Sequence, residues 1–304
     1  MAVTLPDSLL TRYARFSLYN SPYAAHDDGC AVDLYPGTLA DGRTTDALSP
    51  VGGVVRERHV VRAPAKPYAP VHDVVLALEC DDPPELEGLV ARVLHVDPSV
   101  EVGERVERGE SLGSLLRAGF FAPWVDNHLH VGFRRPDQNI RRASGSLALA
   151  LESEVRPLEW DGTGTVVSTD ETYAVLDAPS HPNPGEEFVG LGVERRIDGS
   201  QPVRGVLDGG LPHYDGGGVY VTGGKRALEG AASVHLNGVR LGSVSRVDGR
   251  TVDWDDAVVT VDGEPVTGLS AFCARDGDFG AKLVCPDREF AVGERVRVRV
   301  RRRP

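Results

Sequence analysis

Short runs of apolar residues, many alternating with polar ones, recur along the chain. VVRERHVV (54–61), DVVLALE (73–79), LVARVLHV (89–96), GTVVST (164–169), VYVTG (219–223), AVVTVD (257–262) and RVRVRVR (295–301) all have the length and β-branched content of strands. Turn signals such as DDPP, GG, DGR and DGEP punctuate them, drawn from 35 glycines and 21 prolines. No long apolar stripe of helical period competes, and residues 7–16 are read as one short helix. Many short strands with frequent turns predict an all-β protein.

In NHLHVGF (127–133), Leu129, Val131 and Phe133 alternate with His128, His130 and Gly132. A period of two places the three apolar side chains on one face and both imidazoles on the other, about 7 Å apart by the strand rise. One face packs. The other offers nitrogen donors suited to one histidine binding a metal and a second acting beside it.

The chain divides in two by pattern. The strand with NHLHVGF ends in the polar segment RRPDQNIRRASGS, and a β-rich, more glycine-rich region follows, with GG at 209–210, GGG at 216–218 and GG at 223–224. The expected domains are residues 1–148 and 149–304. VEVGERVERG (100–109) is partly echoed by FAVGERVRVR (290–299), which points to one hairpin chemistry used twice.

Charge changes the picture of the surface. Forty-five acidic residues stand against 33 basic ones, for a net charge of −12. Only Lys66, Lys225 and Lys282 are lysine. Acidic, lysine-poor surfaces suit high intracellular salt, where repulsion is screened within about 3 Å at 1 M; a genome rich in G and C, favouring arginine codons, gives the same bias. The charge argues against a nucleic-acid partner for the surface as a whole. RVRVRVRRRP (295–304) is read as a terminal strand with a solvated basic face. The N-terminal residues lack a charged segment followed by a continuous apolar one, and no run reaches the roughly 20 apolar residues of a membrane span. The expected location is cytoplasmic, where Cys30, Cys80, Cys273 and Cys285 need no bridges.

Four segments occur in a telling order: HDDGCAVDLYPGT (26–38), ALSPVGGVV (47–55), VARVLHVDPSVEVGERVERGESLG (90–113) and NHLHVGF. Over about residues 20–135 this resembles the M23 zinc metallopeptidases, the lysostaphin-like group built on a duplicated-hybrid-motif β-sandwich or barrel. The resemblance implies zinc as cofactor and a peptide or amide as substrate. It makes Asp33 and His130 zinc ligands, and His95 and His128 the histidines that assist catalysis. The family's first zinc histidine stands four residues before the aspartate, where this chain has Gly29. The candidates for a third ligand are His26, in the loop SPYAAHDDG, and Cys30; the third possibility is an incomplete site. If residues 30–34 are strand, Cys30 faces the core and Asp33 the opposite side. The bulky GFFAPWVDN (119–127) replaces the family's small turn. Its Phe120, Phe121 and Trp124 either line a groove or cover the mouth of the barrel, the second being favoured.

Three functions compete. A zinc-dependent hydrolase uses the retained Asp33, His95, His128 and His130. An inactive binding or scaffold protein keeps only the fold. A biotinyl or lipoyl carrier needs a lysine at its hairpin tip, and residues 90–113 contain none. His181, His213 and His235 are assigned no role.

Overall fold

A computed structural model describes residues 2–39, 42–43, 45–197, 199–221, 231–245 and 249–303. Gly223, Gly224 and Lys225, noted in the sequence, lie outside them. The regular secondary structure of the described residues is almost entirely strand, so the fold is all-β. Two compact units emerge: residues 1–16 with 28–153, and residues 17–27 with 154–304. Among the described residues, no helix is long and apolar enough to cross a membrane.

In the first unit, the runs at 54–61 and 73–79 become an antiparallel pair of eleven-residue strands, Gly52–Arg62 and His72–Asp82. Val74, Val75, Leu76, Ala77 and Leu78 are all buried. His72–Asp82 is therefore packed on both faces, as its unbroken apolar run requires. Val90–Leu94, Leu129–Arg134 and Val32–Tyr35 follow in turn across the sheet, each antiparallel to its neighbour. A separate three-stranded sheet joins Val96–Pro98, Ser111–Leu115 and Asp46–Leu48. Val3–Leu5 runs parallel to Leu149–Leu151.

Three local expectations are corrected. Residues 7–16 are not one helix: only Asp7–Leu10 is helical, one turn that buries Leu9 and Leu10, and Arg15–Ser17 is already strand. LVARVLHV is not one strand. His95 has φ +69°, which no strand residue adopts, so the chain breaks into Val90–Leu94 and Val96–Pro98. His26, read as lying in a loop, is part of the four-residue helix Ala24–Asp27.

The two GER segments share one turn. Gly103 and Gly293 have φ near +90°, the conformation that favours glycine at the third position of a type II turn. In each, the glutamate after the glycine donates its N–H to the carbonyl three residues back, Glu104 to Glu101 and Glu294 to Ala291. Its carboxylate accepts the N–H of that same residue, at 2.8 Å from Glu101 and 3.1 Å from Ala291. Glu107-Arg-Gly-Glu110 repeats the device.

In the second unit, Phe188–Ile197 lies antiparallel to Val203–Leu211, which pairs in turn with Gly216–Val221. Val155–Leu158 runs parallel to Phe188–Ile197. Leu176, Leu207, Val219, Val234, Leu241, Val252 and Leu283 belong to its main core. Arg295–Arg302 pairs with Ala257–Val261. Its valines 296, 298 and 300 are buried while Arg295, Arg297 and Arg301 face outward, as the alternation demands.

Candidate metal centre

The pairing of Leu129–Arg134 with Val32–Tyr35 sets His130 directly opposite Asp33. Residues opposed in this way project from one face of the sheet. His130 Nδ1 accordingly stands 3.0 Å from Asp33 Oδ1. Leu129, Val131 and Phe133 are completely buried on the other face. His128 comes just before the strand. Its Nδ1–H donates to the Asp126 carbonyl at 2.8 Å, and its Nε2 stands 3.3 Å from Asp33 Oδ2. A carbonyl only accepts, so the hydrogen of neutral His128 sits on Nδ1 and Nε2 presents a lone pair to a carboxylate. Two imidazoles thus share one carboxylate that is only 2% exposed.

His95 joins them because of its left-handed backbone, with ring centroids 5.3 Å from His128 and 5.8 Å from His130. Its partner is Asp73, which no sequence motif indicated. Asp73 Oδ1 accepts the N–H of Val74 at 2.7 Å and of His95 at 3.0 Å. Asp73 Oδ2 accepts the Nδ1–H of His95 at 2.6 Å. Burial pushes the Asp73 carboxyl up, but the hydrogen bonds and charge interaction with His95 and the two backbone donors outweigh it, leaving Asp73 below the ordinary carboxylate range. Burial holds His95 below the usual histidine range against the raising effect of Asp73. The resulting pair is an ionised carboxylate and a neutral imidazole whose hydrogen is fixed on Nδ1, with the lone pair on Nε2. A signal for Asp73 does exist in the sequence: an aspartate opening an apolar run buried on both faces must find donors.

A cover closes over these rings. Phe121, 4% exposed, stacks on His128 at 4.4 Å and meets His95 edge-on at 4.5 Å. The Phe121 carbonyl accepts the hydroxyl hydrogen of Tyr68 at 2.8 Å. Arg117 lies over the Phe121 and Tyr68 rings, 5.3 Å from each. It also donates to the carbonyls of Ala122, Pro123 and Val125. GFFAPWVDN is thus tied down over the histidines at Phe121, while Phe120 and Trp124 are only half-buried.

His26 is buried, and its Nδ1–H donates to the Leu18 carbonyl at 2.7 Å. Its lone pair therefore lies on Nε2, the atom a metal would take. Cys30 is only half-buried, with Sγ 3.5 Å from the Asp28 carbonyl. The expectation that it faces the core fails because the strand begins at Val32, so the alternation does not reach back to it. No disulfide joins the four cysteines. His181 serves a turn, its Nε2 3.1 Å from the Glu187 carbonyl.

The donor set suits zinc, which takes imidazole nitrogen and carboxylate oxygen at about 2.0–2.2 Å. Two ligand atoms on one tetrahedral ion stand roughly 3.3 Å apart by the same geometry. The separation of Asp33 Oδ1 from His130 Nδ1, 3.0 Å, is of that size. The opposed lone pairs of Asp33 and neutral His128 call for a proton or cation near them.

Residues 4–151 match the family model "Domain of unknown function (DUF8155) N-terminal domain". Residues 156–301 match the model of the DUF8155 C-terminal domain. No curated protein matches the chain. Among solved structures, the NMR solution structure of lysostaphin is similar over 81% of this chain and 95% of that one, with 14% identity and a TM-score of 0.26. A likeness that distant carries neither fold nor activity across.

Proposed function

We propose that this chain, whose two halves match the N- and C-terminal domains of the DUF8155 family, is a zinc-dependent hydrolase of peptide or amide bonds in which Asp33 and His130 hold the metal and His26 is the third ligand that the sequence offers. The observation that carries this reading is the sharing of the buried Asp33 carboxylate by His130 and His128, with the His95–Asp73 pair beside them. The order of motifs resembling M23 peptidases supports it independently. A cytoplasmic setting belongs to the same proposal.

A zinc bound by these residues would supply a Lewis acid and lower the pKa of a water toward neutrality. The remaining chemistry is the chain's own. Asp73 fixes the hydrogen of His95 on Nδ1, so His95 Nε2 is the atom that takes a proton from water and returns it to a leaving amine. The Asp126 carbonyl orients His128 in the same way, leaving its Nε2 beside Asp33. Phe121 keeps bulk water off both rings, which strengthens every charge interaction beneath it.

Burial is what favours the alternative, an inactive binding or scaffold protein. His95 and His128 are 5% and 3% exposed under Phe121, so a substrate must shift that cover. Incubating the zinc-supplemented protein with a mixed peptide library, in high salt, separates the two. Cleavage that disappears with a chelator and in His95→Ala establishes the hydrolase. A library left intact by metal-loaded protein returns the scaffold reading.

A further inference from the structure

Asp208 is completely buried in the strand Val203–Leu211 and takes no part in the chemistry above. It gathers the segment that leads to His26. Asp208 Oδ2 accepts the N–H of Leu18 at 2.7 Å and of Tyr19 at 3.3 Å, and the Tyr220 hydroxyl at 2.6 Å. Oδ1 accepts the Ser17 hydroxyl at 2.5 Å. Ser17 Oγ in turn accepts the N–H of Asn20 at 3.0 Å. Asn20 donates through its side-chain nitrogen to Ser270 Oγ at 2.7 Å and the Ala271 carbonyl at 3.1 Å. Leu18 is therefore held at its N–H by Asp208, and its own carbonyl accepts the Nδ1–H of His26 at 2.7 Å.

We propose that Asp208 is a positioning residue for His26. It fixes the Leu18 backbone whose carbonyl sets the tautomer and ring orientation of His26, so that Nε2 is aimed as a metal ligand. The proposal rests on the reading of His26 as a zinc ligand and gives residues 154–304 a role in holding that ligand's segment. Such outer partners of metal-bound histidines decide which nitrogen carries the hydrogen, and their loss typically lowers metal affinity about 10–100-fold.

The test is zinc affinity, measured by competition with a chromogenic chelator on the full chain, with the visible spectrum of the cobalt-substituted protein as second readout. Asp208→Ala removes the acceptor; Asp208→Asn retains a carbonyl oxygen for the Leu18 N–H. Val234→Ala, a truncation in the core of the same unit, controls for lost stability. The expected result is a roughly tenfold or greater loss of affinity in Asp208→Ala, substantial recovery in Asp208→Asn, and near-wild-type affinity in Val234→Ala. Asn20→Ala cuts the segment's other tie without emptying the core and should weaken zinc several-fold, which keeps the test open if Asp208→Ala does not fold. Wild-type affinity and cobalt spectrum in Asp208→Ala, or in Asn20→Ala where the first does not fold, would overturn the proposal and leave the metal site standing. Absence of zinc binding in the wild type would overturn the metal reading itself, and this proposal with it.

Discussion

Asp73 in the first unit and Asp208 in the second are both fully shielded from solvent, yet they titrate in opposite directions. Asp73 accepts two backbone N–H groups and an imidazole N–H, and lies below the ordinary carboxylate range. Asp208 accepts two backbone N–H groups and two hydroxyls, and burial pushes it up to about 6. The number of donors does not explain the difference. Asp73 faces a group able to carry positive charge, whereas Asp208 faces only neutral N–H and hydroxyl donors, and its charge disfavours ionisation of Tyr220 and Cys273 in the same core. Burial alone therefore does not define a site. A buried carboxylate surrounded by imidazoles is built for chemistry, and one surrounded by hydroxyls is built to hold chain.

The comparison breaks most easily at Asp33, which is placed with the first kind. Asp33→Asn removes a proposed ligand charge, and zinc affinity should fall further than the roughly 10–100-fold that outer-shell changes cost. Unchanged affinity by chelator competition would move Asp33 into the structural class. Next in size is Asp73→Ala. It leaves the Nδ1–H and backbone N–H of His95 buried without their acceptor, and should cost about 3–5 kcal/mol in urea unfolding. A loss below about 1 kcal/mol would mean that His95 has another partner ready.

The pH dependence sharpens the contrast, because the two aspartates carry opposite signs. The folded value of Asp73 is depressed, so its contribution is present above the unfolded value near 3.9 and is lost as pH falls through the folded one. The folded value of Asp208 is raised to about 6, so its contribution is complete below about 3.9 and is lost as pH rises to about 6. That difference of about two pH units corresponds to roughly 3 kcal/mol. Unfolding followed across pH 4–6 should lose most of this falling component in Asp208→Asn, whereas Asp73→Asn should flatten the curve only below about pH 4. Identical curves for wild type and Asp208→Asn would refute the raised value. Smallest of all is Cys30→Ser, which should leave bound metal unchanged, since the sulfur lies off the strand that carries Asp33. A fall in metal content would restore Cys30 as a ligand.

Much of this was legible locally. The alternation in NHLHVGF fixes which side chains pack and which face the site, and over 295–301 every valine is buried and every arginine exposed except Arg299, which is half-buried. What escaped was non-local. Asp73 and His95 lie 22 residues apart, and nothing near either names the other; only the sheet registers and the left-handed turn at His95 join them. Residue-type periodicity does not report a positive φ at a non-glycine residue, so LVARVLHV looked like one strand. Asp208 sits in VRGVLDGGL, where an aspartate before two glycines has the look of a turn, yet it is a strand interior whose donors come from residues 17–20. The four-residue helix carrying His26 is too short to leave a periodic trace.

The central claim is a metal held by Asp33, His130 and His26. It is tested most directly by the zinc content of protein purified without an affinity tag in high salt, for wild type, His130→Ala and His26→Ala. The account predicts about one zinc per wild-type chain and close to none in either variant. A wild type that takes up no zinc when supplied with it, or a His26→Ala variant that retains a full equivalent, would contradict it.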